Sequence, residues 1–279
     1  MRNIRPKNQT HTERSERGSG VQSVRISLRV LQVLAESRGP MHLREITAAS
    51  SLAPSQAHRY LRSFVEGGLV SQDAATGRYD LGVLALQLGL TALSRVDAVK
   101  LADEALEKLV EQTNMAGGVS VWGAYGQTCV RWRPSPNIII ANAALGTVFP
   151  MLTTATGRIS LALMPKSITR PIVKRELAAA KKANRDIDMA SVDASIEDLK
   201  TIGYCQVAGY SFPGLRSIAA PIFGADGELS AIIGLVGADC PEGQPDSAPQ
   251  LLVSVAQDVS ERAGFRGKGN RYPLLRDTL

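Results

Sequence analysis

Histidine and cysteine are both scarce in this chain of 279 residues, which contains only three of each. No histidine follows His58, so the second half of the chain lacks the commonest general base of enzymes. Cys129, Cys205 and Cys240 are far apart and belong to no metal-ligand motif. We expect them to be buried apolar side chains in a protein of the reducing cytoplasm. We also expect no metal and no cofactor.

Long apolar runs and catalytic signatures are missing as well. No uninterrupted apolar segment approaches the roughly 20 residues that cross a bilayer. The first 20 residues have no apolar core of a signal peptide. The GxSxG, HExxH, P-loop and GxGxxG patterns do not occur. These absences argue against a membrane protein and against an enzyme, and an enzyme fused to a second module is the less favoured alternative.

The positive charge is concentrated near the N-terminus of the chain. The whole sequence has a net charge of +6, and residues 1–80 hold 12 Lys and Arg against 7 Asp and Glu, a net +5. Residues 81–279 hold 20 against 19, a net +1. Charge concentrated in this way is typical of a module that binds nucleic acid. Residues 1–20 are polar and basic, and we expect a disordered tail that is either inert or adds phosphate contacts.

Apolar spacing predicts a winged helix-turn-helix in the first third. A first helix begins near Val24 and ends before Gly39-Pro40, and a second covers about His42–Ser50. A third begins near Pro54, and residues 69–81 form a hairpin with a polar tip. The residues expected to face inward from the second and third helices are Leu43, Ile46, Ala49, Ala57, Leu61, Phe64 and Val65.

The third helix is the expected recognition helix, since such helices present N-terminal side chains to base edges in the major groove of double-stranded DNA. Gln pairs well with adenine and Arg with guanine, while the hairpin supplies a backbone or minor-groove contact. The alternative is a merely solvated helix face. The predicted DNA-binding residues are Ser55, Gln56, His58, Arg59, Arg62 and Arg78.

Residues 83–113 are expected to be helical, with a break near Ser94–Asp97. The first part, VLALQLGLTAL, is apolar almost all round and requires burial on more than one side. Packing against its copy in a dimer is the favoured solution, and burial within one subunit is the alternative. Beyond Asn114, hairpins and helices follow one another without strict alternation, which indicates an α+β domain.

Several segments in this order resemble the IclR family of bacterial transcription regulators, from about Val21 to Gly264. The similar segments are SVRISLRVLQVLAE, SLAPSQAHRYLRSFVEGGLV, GRYDLGVLALQLG, FPMLTTATGRISLALMP and IGYCQVAGYSFPGLRSIAAPIFGADGELSAIIGLVG. The resemblance implies dimers or dimers of dimers that repress or activate catabolic genes in response to a small molecule, often a carboxylate or an aromatic metabolite. It also implies an N-terminal winged helix-turn-helix, a linker helix and a C-terminal GAF-like effector-binding domain.

The expected domain organisation follows from the resemblance together with the patterns above. It comprises a disordered tail (1–20), a winged helix-turn-helix domain (21–82), a linker helix (83–97), a GAF-like effector-binding domain (98–265) and a flexible tail (266–279).

The family's effector lies between an ATGR-type helix start and the last strands. Free N–H groups at a helix start attract a carboxylate, although a glycine there also permits close packing. Ala208 and Tyr210 replace an acidic pair common in the family, which favours a larger, less polar acid, aromatic acids included; alternatively, Tyr210 only packs over its loop. The residues expected at the effector site are Ala155, Thr156, Gly157, Tyr210, Leu215, Ser217, Gly234 and Val236.

Two further points stay open in the sequence. An architectural DNA-binding protein without a ligand is the second candidate function, although the C-terminal half is larger than a dimerisation platform needs. Trp122 and Trp132 lie on a predicted hairpin, where core or dimer surface is a commoner place for tryptophan than a ligand pocket.

Overall fold

The computed structural model describes residues 21–135, 143–209, 214–239 and 246–267. The chain divides into two compact units, with the division between Ser94 and Arg95. The segments predicted as tails (1–20 and the end of 266–279), as well as Tyr210 and Cys240, lie outside the described residues.

The first unit contains three helices, a short antiparallel hairpin and a fourth helix. Its elements are α1 (Gln22–Glu36), α2 (Leu43–Ser50), α3 (Pro54–Glu66), β1 (Val70–Gln72), β2 (Tyr79–Leu81) and α4 (Val83–Ser94). Met41 and Tyr79 exchange backbone hydrogen bonds of 2.9 and 2.8 Å, which attach the hairpin to the segment before α2. This is the predicted helix-turn-helix with its hairpin wing.

The core of the first unit joins all three helices to the hairpin. Its buried members are Val30, Leu34, Ile46, Leu61, Val70 and Tyr79. The prediction was wrong at Ala49 and Val65, which are exposed. Ser50 is buried instead of Ala49, and its hydroxyl donates a 2.7 Å hydrogen bond to the Ile46 carbonyl, which satisfies the buried polar group. Val65 lies in the last turn of α3, beyond the core contacts of Leu61.

The second unit contains five helices and five strands in its described part. The elements are α5 (Ala98–Thr113), β3 (Ala116–Gly123), β4 (Gly126–Arg133), α6 (Ala155–Leu163), α7 (Lys166–Lys182), α8 (Met189–Ile202), β5 (Cys205–Ala208), β6 (Leu215–Phe223), β7 (Leu229–Ala238) and α9 (Ala248–Arg262). The break predicted near residues 94–97 is confirmed, since α5 begins after Asp97, whose carboxylate accepts the amide protons of Val99 and Lys100.

The five strands form one antiparallel sheet in the order β4-β3-β7-β6-β5. Helices α5 and α9 pack on one face, where Ile218, Ile233 and Leu252 belong to the larger core. Helix α6 packs on the other face with Ala219 and Ile232. Successive residues of a strand point to opposite faces, so both faces of β6 and β7 are covered. The predicted α+β fold class is confirmed, whereas the four-residue strand β5 was not predicted.

None of the helices in the described ranges is long and apolar enough to cross a membrane.

Candidate functional sites

The start of α3 presents the predicted DNA-reading side chains. The turn before α3 contains Ser51, whose φ of 55° is left-handed, and α3 then begins with Pro54 in its first turn. Ala57 and Leu61 are fully buried and fix the face of α3 that packs inward. The side chains of Ser55, His58 and Arg59 are exposed as a consequence, and Gln56 is half-buried.

Two of the predicted arginines already have partners within the first unit. The Arg62 Nε atom lies 3.0 Å from the Glu66 Oε1 atom, one helical turn away. Arg78 Nε donates to His42 Nε2 at 3.2 Å, and Arg78 Nη1 donates to the Pro40 carbonyl at 3.3 Å. Arg78 therefore ties the wing to the start of α2, and Arg59 has no such intramolecular restraint among the described residues.

The tip of the wing is held by a single carboxylate. Asp73 Oδ1 accepts hydrogen bonds from the Ala75 amide at 3.0 Å and from the Thr76 amide at 2.6 Å. The Thr76 amide and hydroxyl lower the pKa of Asp73 below its ordinary value, because both donate to the charged carboxylate. Gly77 follows with a φ of 68°, which suits glycine and lets the chain enter β2.

A cavity of about 830 Å³ lies in the second unit on the α6 side of the sheet. Its wall combines sheet residues, the segment before α6 and the connection between α7 and α8. The lining residues are Gly118, Ser120, Trp132, Ala143, Thr147, Val148, Phe149, Pro150, Thr153, Thr154, Thr156, Arg185, Asp186, Val207, Leu215, Arg216, Ser217, Gly234, Leu235 and Val236. We call this space the effector cavity.

Strand register explains the sheet side of the effector cavity. Gly118 of β3 pairs with Gly234 of β7 and, on its other edge, with Trp132 of β4. A Cβ at Gly118 would lie 3.0 Å from Trp132 Cε3, so the missing side chain lets the indole ring pack directly against β3. A Cβ at Gly234 would lie 3.3 Å from Thr156 Oγ1, so residue 234 controls the gap between β7 and α6.

The start of α6 forms the opposite wall. Thr154 caps the helix, accepting the Gly157 amide proton at 2.9 Å and donating its hydroxyl to the Pro150 carbonyl at 2.7 Å. The amides of Ala155 and Thr156 lie in the first turn, where a helix offers no carbonyl to receive them. Such amides and the helix dipole favour an anion nearby.

Two side chains, the half-buried Glu176 and the buried Arg158, hold this wall in place. Glu176 of α7 accepts the Met151 amide at 2.8 Å and the Leu152 amide at 3.0 Å. Arg158 is 4 % exposed and points away from the cavity, donating to the Leu152 carbonyl at 3.0 Å and to Ser195 Oγ at 2.6 Å. Burial lowers the pKa of Arg158, since desolvation penalises its charge.

A buried chain of hydrogen bonds connects the cavity wall to α6. Ser160 Oγ donates to Gln127 Oε1 at 3.1 Å, and Gln127 Nε2 donates to Ser120 Oγ at 3.0 Å. All three side chains are almost fully buried. Ser120 lines the cavity, so this chain fixes the position of one of its hydroxyl groups.

The structure brings together five of the predicted effector residues, namely Thr156, Leu215, Ser217, Gly234 and Val236. Ala155 and Gly157 do not line the cavity. The Ala155 side chain is fully buried in the core, and a Cβ at Gly157 would lie 2.0 Å from the Pro150 carbonyl oxygen. Gly157 is therefore explained by close packing. The backbone that it packs against is that of Pro150 and Met151, and not the sheet.

Sequence reasoning missed three prominent lining residues, Trp132, Phe149 and Arg185. Trp132 was expected in the core or at a dimer surface. No local pattern identifies Arg185, because it lies in the connection after α7 and reaches the cavity only through the tertiary fold. The threonines before α6 had a usable signal, since Thr153 and Thr154 directly precede the predicted Ala155.

The described cysteines are unsuited to nucleophilic chemistry. Cys129 and Cys205 are both buried. Burial raises the pKa of the Cys205 thiol to about 12 and also raises that of Cys129. Among the described residues, no group of three or more His, Cys, Asp and Glu side chains could hold a metal ion.

Known proteins resemble this chain over nearly its full length. It is 27% identical over 238 residues to the HTH-type transcriptional regulator BhcR of Paracoccus denitrificans, covering 84% of this chain and 83% of that one. It is 28% identical to the glycerol operon regulatory protein of Streptomyces coelicolor, covering 88% and 97%. The crystal structure of Pseudomonas aeruginosa HmgR superposes with a TM-score of 0.77 at 29% identity, covering 89% of this chain and 100% of that one.

Two family models match the chain. The IclR helix-turn-helix domain matches residues 23–74, which include the recognition helix and the start of the wing. The bacterial transcriptional regulator IclR C-terminal model matches residues 90–261, which include the effector cavity. The family that they describe is one of transcriptional regulators and not of enzymes. The chain belongs to the IclR family of bacterial transcriptional regulators.

Proposed function

We propose that this protein is a ligand-responsive regulator whose hold on its operator changes when a small organic acid occupies the effector cavity. The observation that carries the proposal is the composition of that cavity. Its lining includes Thr156 in the first turn of α6, the charged Arg185 and the aromatic side chains of Trp132 and Phe149. Apolar and aromatic walls with a few convergent polar groups are the ordinary composition of a small-molecule site.

An aromatic acid is the proposed chemical class of effector. The carboxylate meets the first-turn amide of Thr156, where the α6 dipole favours negative charge. Arg185 adds positive charge at the same cavity, partly offset by the neighbouring Asp186. A ring packs against the cavity-lining Trp132 and Phe149, since aromatic rings favour stacked or edge-to-face contact. A volume of about 830 Å³ accommodates more than a two-carbon acid.

DNA recognition is assigned to α3. Ser55, Gln56, His58 and Arg59 contact base edges or phosphates in the major groove, and Arg62 contributes when it leaves Glu66. Arg78 stabilises the wing and meets the backbone or the minor groove. This division agrees with the general rule that phosphate contacts position a protein while base contacts specify its site.

A homodimer, or a dimer of dimers, is the proposed assembly. Helix α4 leaves Val83 71%, Leu86 62%, Leu88 56% and Leu90 57% exposed. These side chains occur on several sides of one short helix, and burying them against a second copy of α4 removes apolar area from water. Sedimentation of Leu86→Lys with Leu90→Lys tests this, since a wild-type mass for the double variant contradicts an α4 interface.

Thermal stabilisation by benzoate, 4-hydroxybenzoate, phenylacetate, pyruvate and glyoxylate tests the effector proposal. A ligand present at 100 times its Kd stabilises the folded state by about 2.7 kcal/mol. We expect an aromatic acid to raise the Tm of the wild type but not of Gly234→Leu, whose side chain projects toward Thr156 and fills the cavity. Stabilisation by glyoxylate alone contradicts an aromatic effector. Stabilisation by none of the five, with DNA binding intact, favours the architectural alternative.

A further inference from the structure

Helix α7 has an unusual distribution of charge. Its single acidic residue, Glu176, is half-buried and holds the Met151 and Leu152 amides. Its basic residues are all exposed, and none forms an ion pair within the described part of the chain. They are Lys166, Arg170, Lys174, Arg175, Lys181 and Lys182.

The other long helices of the second unit have the opposite balance. Helix α5 has two basic and four acidic residues, α8 has one and three, and α9 has one and two. The near-neutral charge of residues 81–279 therefore conceals a strongly positive surface on one helix. We call the outward side of α7 the basic face.

Helix stability does not account for the basic face. Lys181 and Lys182 lie in the last turn, where positive charge is favourable to the helix dipole. Lys166 is the first residue of the helix, where positive charge is unfavourable. Lys166, Arg170 and Lys174 also follow one another at intervals of four residues, and like charges at this spacing are destabilising by about 0.2–0.5 kcal/mol per pair. The sequence keeps these charges at a cost to the isolated helix.

The same spacing suits an extended row of anions. Residues four apart lie on one side of a helix, separated by about 6 Å along its axis. Lys166, Arg170 and Lys174 thus form a line about 12 Å long that Lys181 extends. Double-stranded DNA presents closely spaced phosphates with one charge per about 1.7 Å of its axis, so several phosphates lie within the length of this row.

We propose that the basic face of α7 binds DNA phosphates, adding sequence-independent contacts to those of the recognition helix. DNA is the assigned partner because the protein belongs to a family of DNA-binding regulators. The inference rests on DNA binding and does not depend on the identity, or the existence, of an effector.

The test is the salt dependence of binding between the full-length protein and a 40-base-pair duplex of random sequence. Log Kobs falls with log salt by about 0.9 per neutralised phosphate. We expect the triple variant Lys166→Gln, Arg170→Gln, Lys174→Gln to reduce this slope by about 1–3. The matched control, Lys100→Gln, Lys108→Gln, Lys200→Gln, removes equal charge from α5 and α8 and leaves the slope within about 0.5 of the wild type.

A charge-preserving variant separates charge from folding. Lys166→Arg, Arg170→Lys, Lys174→Arg keeps the basic face and is expected to keep the wild-type slope. Equal slopes for the glutamine triple and its control overturn the proposal. The vesicle experiment then identifies a lipid partner. If the two slopes are equal and only the glutamine triple variant loses binding to phosphatidylglycerol vesicles, the DNA proposal is overturned and the basic face is assigned to a lipid surface. An effector screen without hits leaves this comparison unaffected.

Discussion

Gly157 lies so close to Pro150 that a Cβ at Gly157 would stand 2.0 Å from the Pro150 carbonyl oxygen and 2.5 Å from Met151 Cα. Both neighbours are backbone atoms, so a side chain at residue 157 requires α6 or the preceding segment to move. We expect Gly157→Ala to lower the free energy of unfolding by about 1–3 kcal/mol or more, as overpacking does. Chemical denaturation measures the change.

The matched control for this substitution is Gly89→Ala in α4. No atom lies within 4 Å of a Cβ at Gly89. Alanine there favours the helix by up to about 1 kcal/mol, so we expect no loss of stability. A Gly157→Ala protein as stable as the wild type contradicts the close approach of α6 to Pro150.

Trp132 is expected to report occupation of the effector cavity. It lines the cavity, and Trp122 does not. A ligand beside the indole ring changes the environment of Trp132. The Trp122→Phe variant keeps only Trp132, so its fluorescence emission should respond to an acid that stabilises the protein. The emission of Trp132→Phe should not respond, even where thermal stabilisation persists. The reverse pattern excludes the proposed position of the ring.

Gln127 is expected to be the costliest member of the buried hydrogen-bond chain to replace. Gln127→Leu removes one hydrogen bond from each hydroxyl, and two such bonds together contribute about 1–3 kcal/mol. Each hydroxyl keeps a longer contact, Ser120 with the Ile232 carbonyl at 3.4 Å and Ser160 with the Thr156 carbonyl at 3.3 Å. A double-mutant cycle with Ser120→Ala measures the coupling, which we expect to exceed about 0.5 kcal/mol. Strict additivity of the two substitutions is inconsistent with the Gln127–Ser120 bond.

Acid stability is expected to depend on Asp246. Its hydrogen bond from Arg216 holds the pKa of Asp246 below the ordinary 3.8, since the bond favours the charged form. A lowered pKa contributes stability that is complete above the ordinary value and is lost as pH falls through the folded-state value. We therefore expect Asp246→Asn to lose stability at neutral pH and to show a shallower decline below about pH 3.8.

Denaturation at a series of pH values checks this expectation. The control is Asp193→Asn, an exposed carboxyl on α8. If the free energies of unfolding of the wild type and Asp246→Asn fall in parallel throughout the acid range, the hydrogen bond from Arg216 does not stabilise the charged Asp246 as proposed.

Arg59 and Arg62 are expected to differ in their contribution to specific DNA binding. We expect Arg59→Ala to cost about 1–3 kcal/mol at the cognate duplex, because its side chain is exposed and unrestrained for a base contact. Arg62→Ala should cost less, since the Arg62 guanidinium is already paired with Glu66 at 3.0 Å. Fluorescence anisotropy with duplexes tiled across the protein's own upstream region, at two salt concentrations, supplies the measurement. Unchanged affinity for Arg59→Ala contradicts the assigned reading role.

Much of the fold was predictable because its signals are local. Apolar spacing identified α1, α2 and α3, and turn residues identified the wing. Residues Thr154–Arg158 were recognisable as a helix start. The errors occurred where the signal was short or ambiguous. Ala49 and Val65 have apolar side chains near helix ends, and there the turn that follows, not the periodicity, decides which face is covered.

What the sequence by itself determined is the local structure: helical and strand periods, the asymmetric charge, and the order of motifs that resemble the IclR family. Only the tertiary structure decided which residues share the effector cavity. Trp132, Phe149 and Arg185 come from three separate elements, and their approach depends on the register of β3, β4 and β7 and on the anchoring of the segment before α6 by Glu176. The periodicity of apolar side chains depends on residues that are close in sequence, whereas the cavity forms only when segments far apart in sequence pack together.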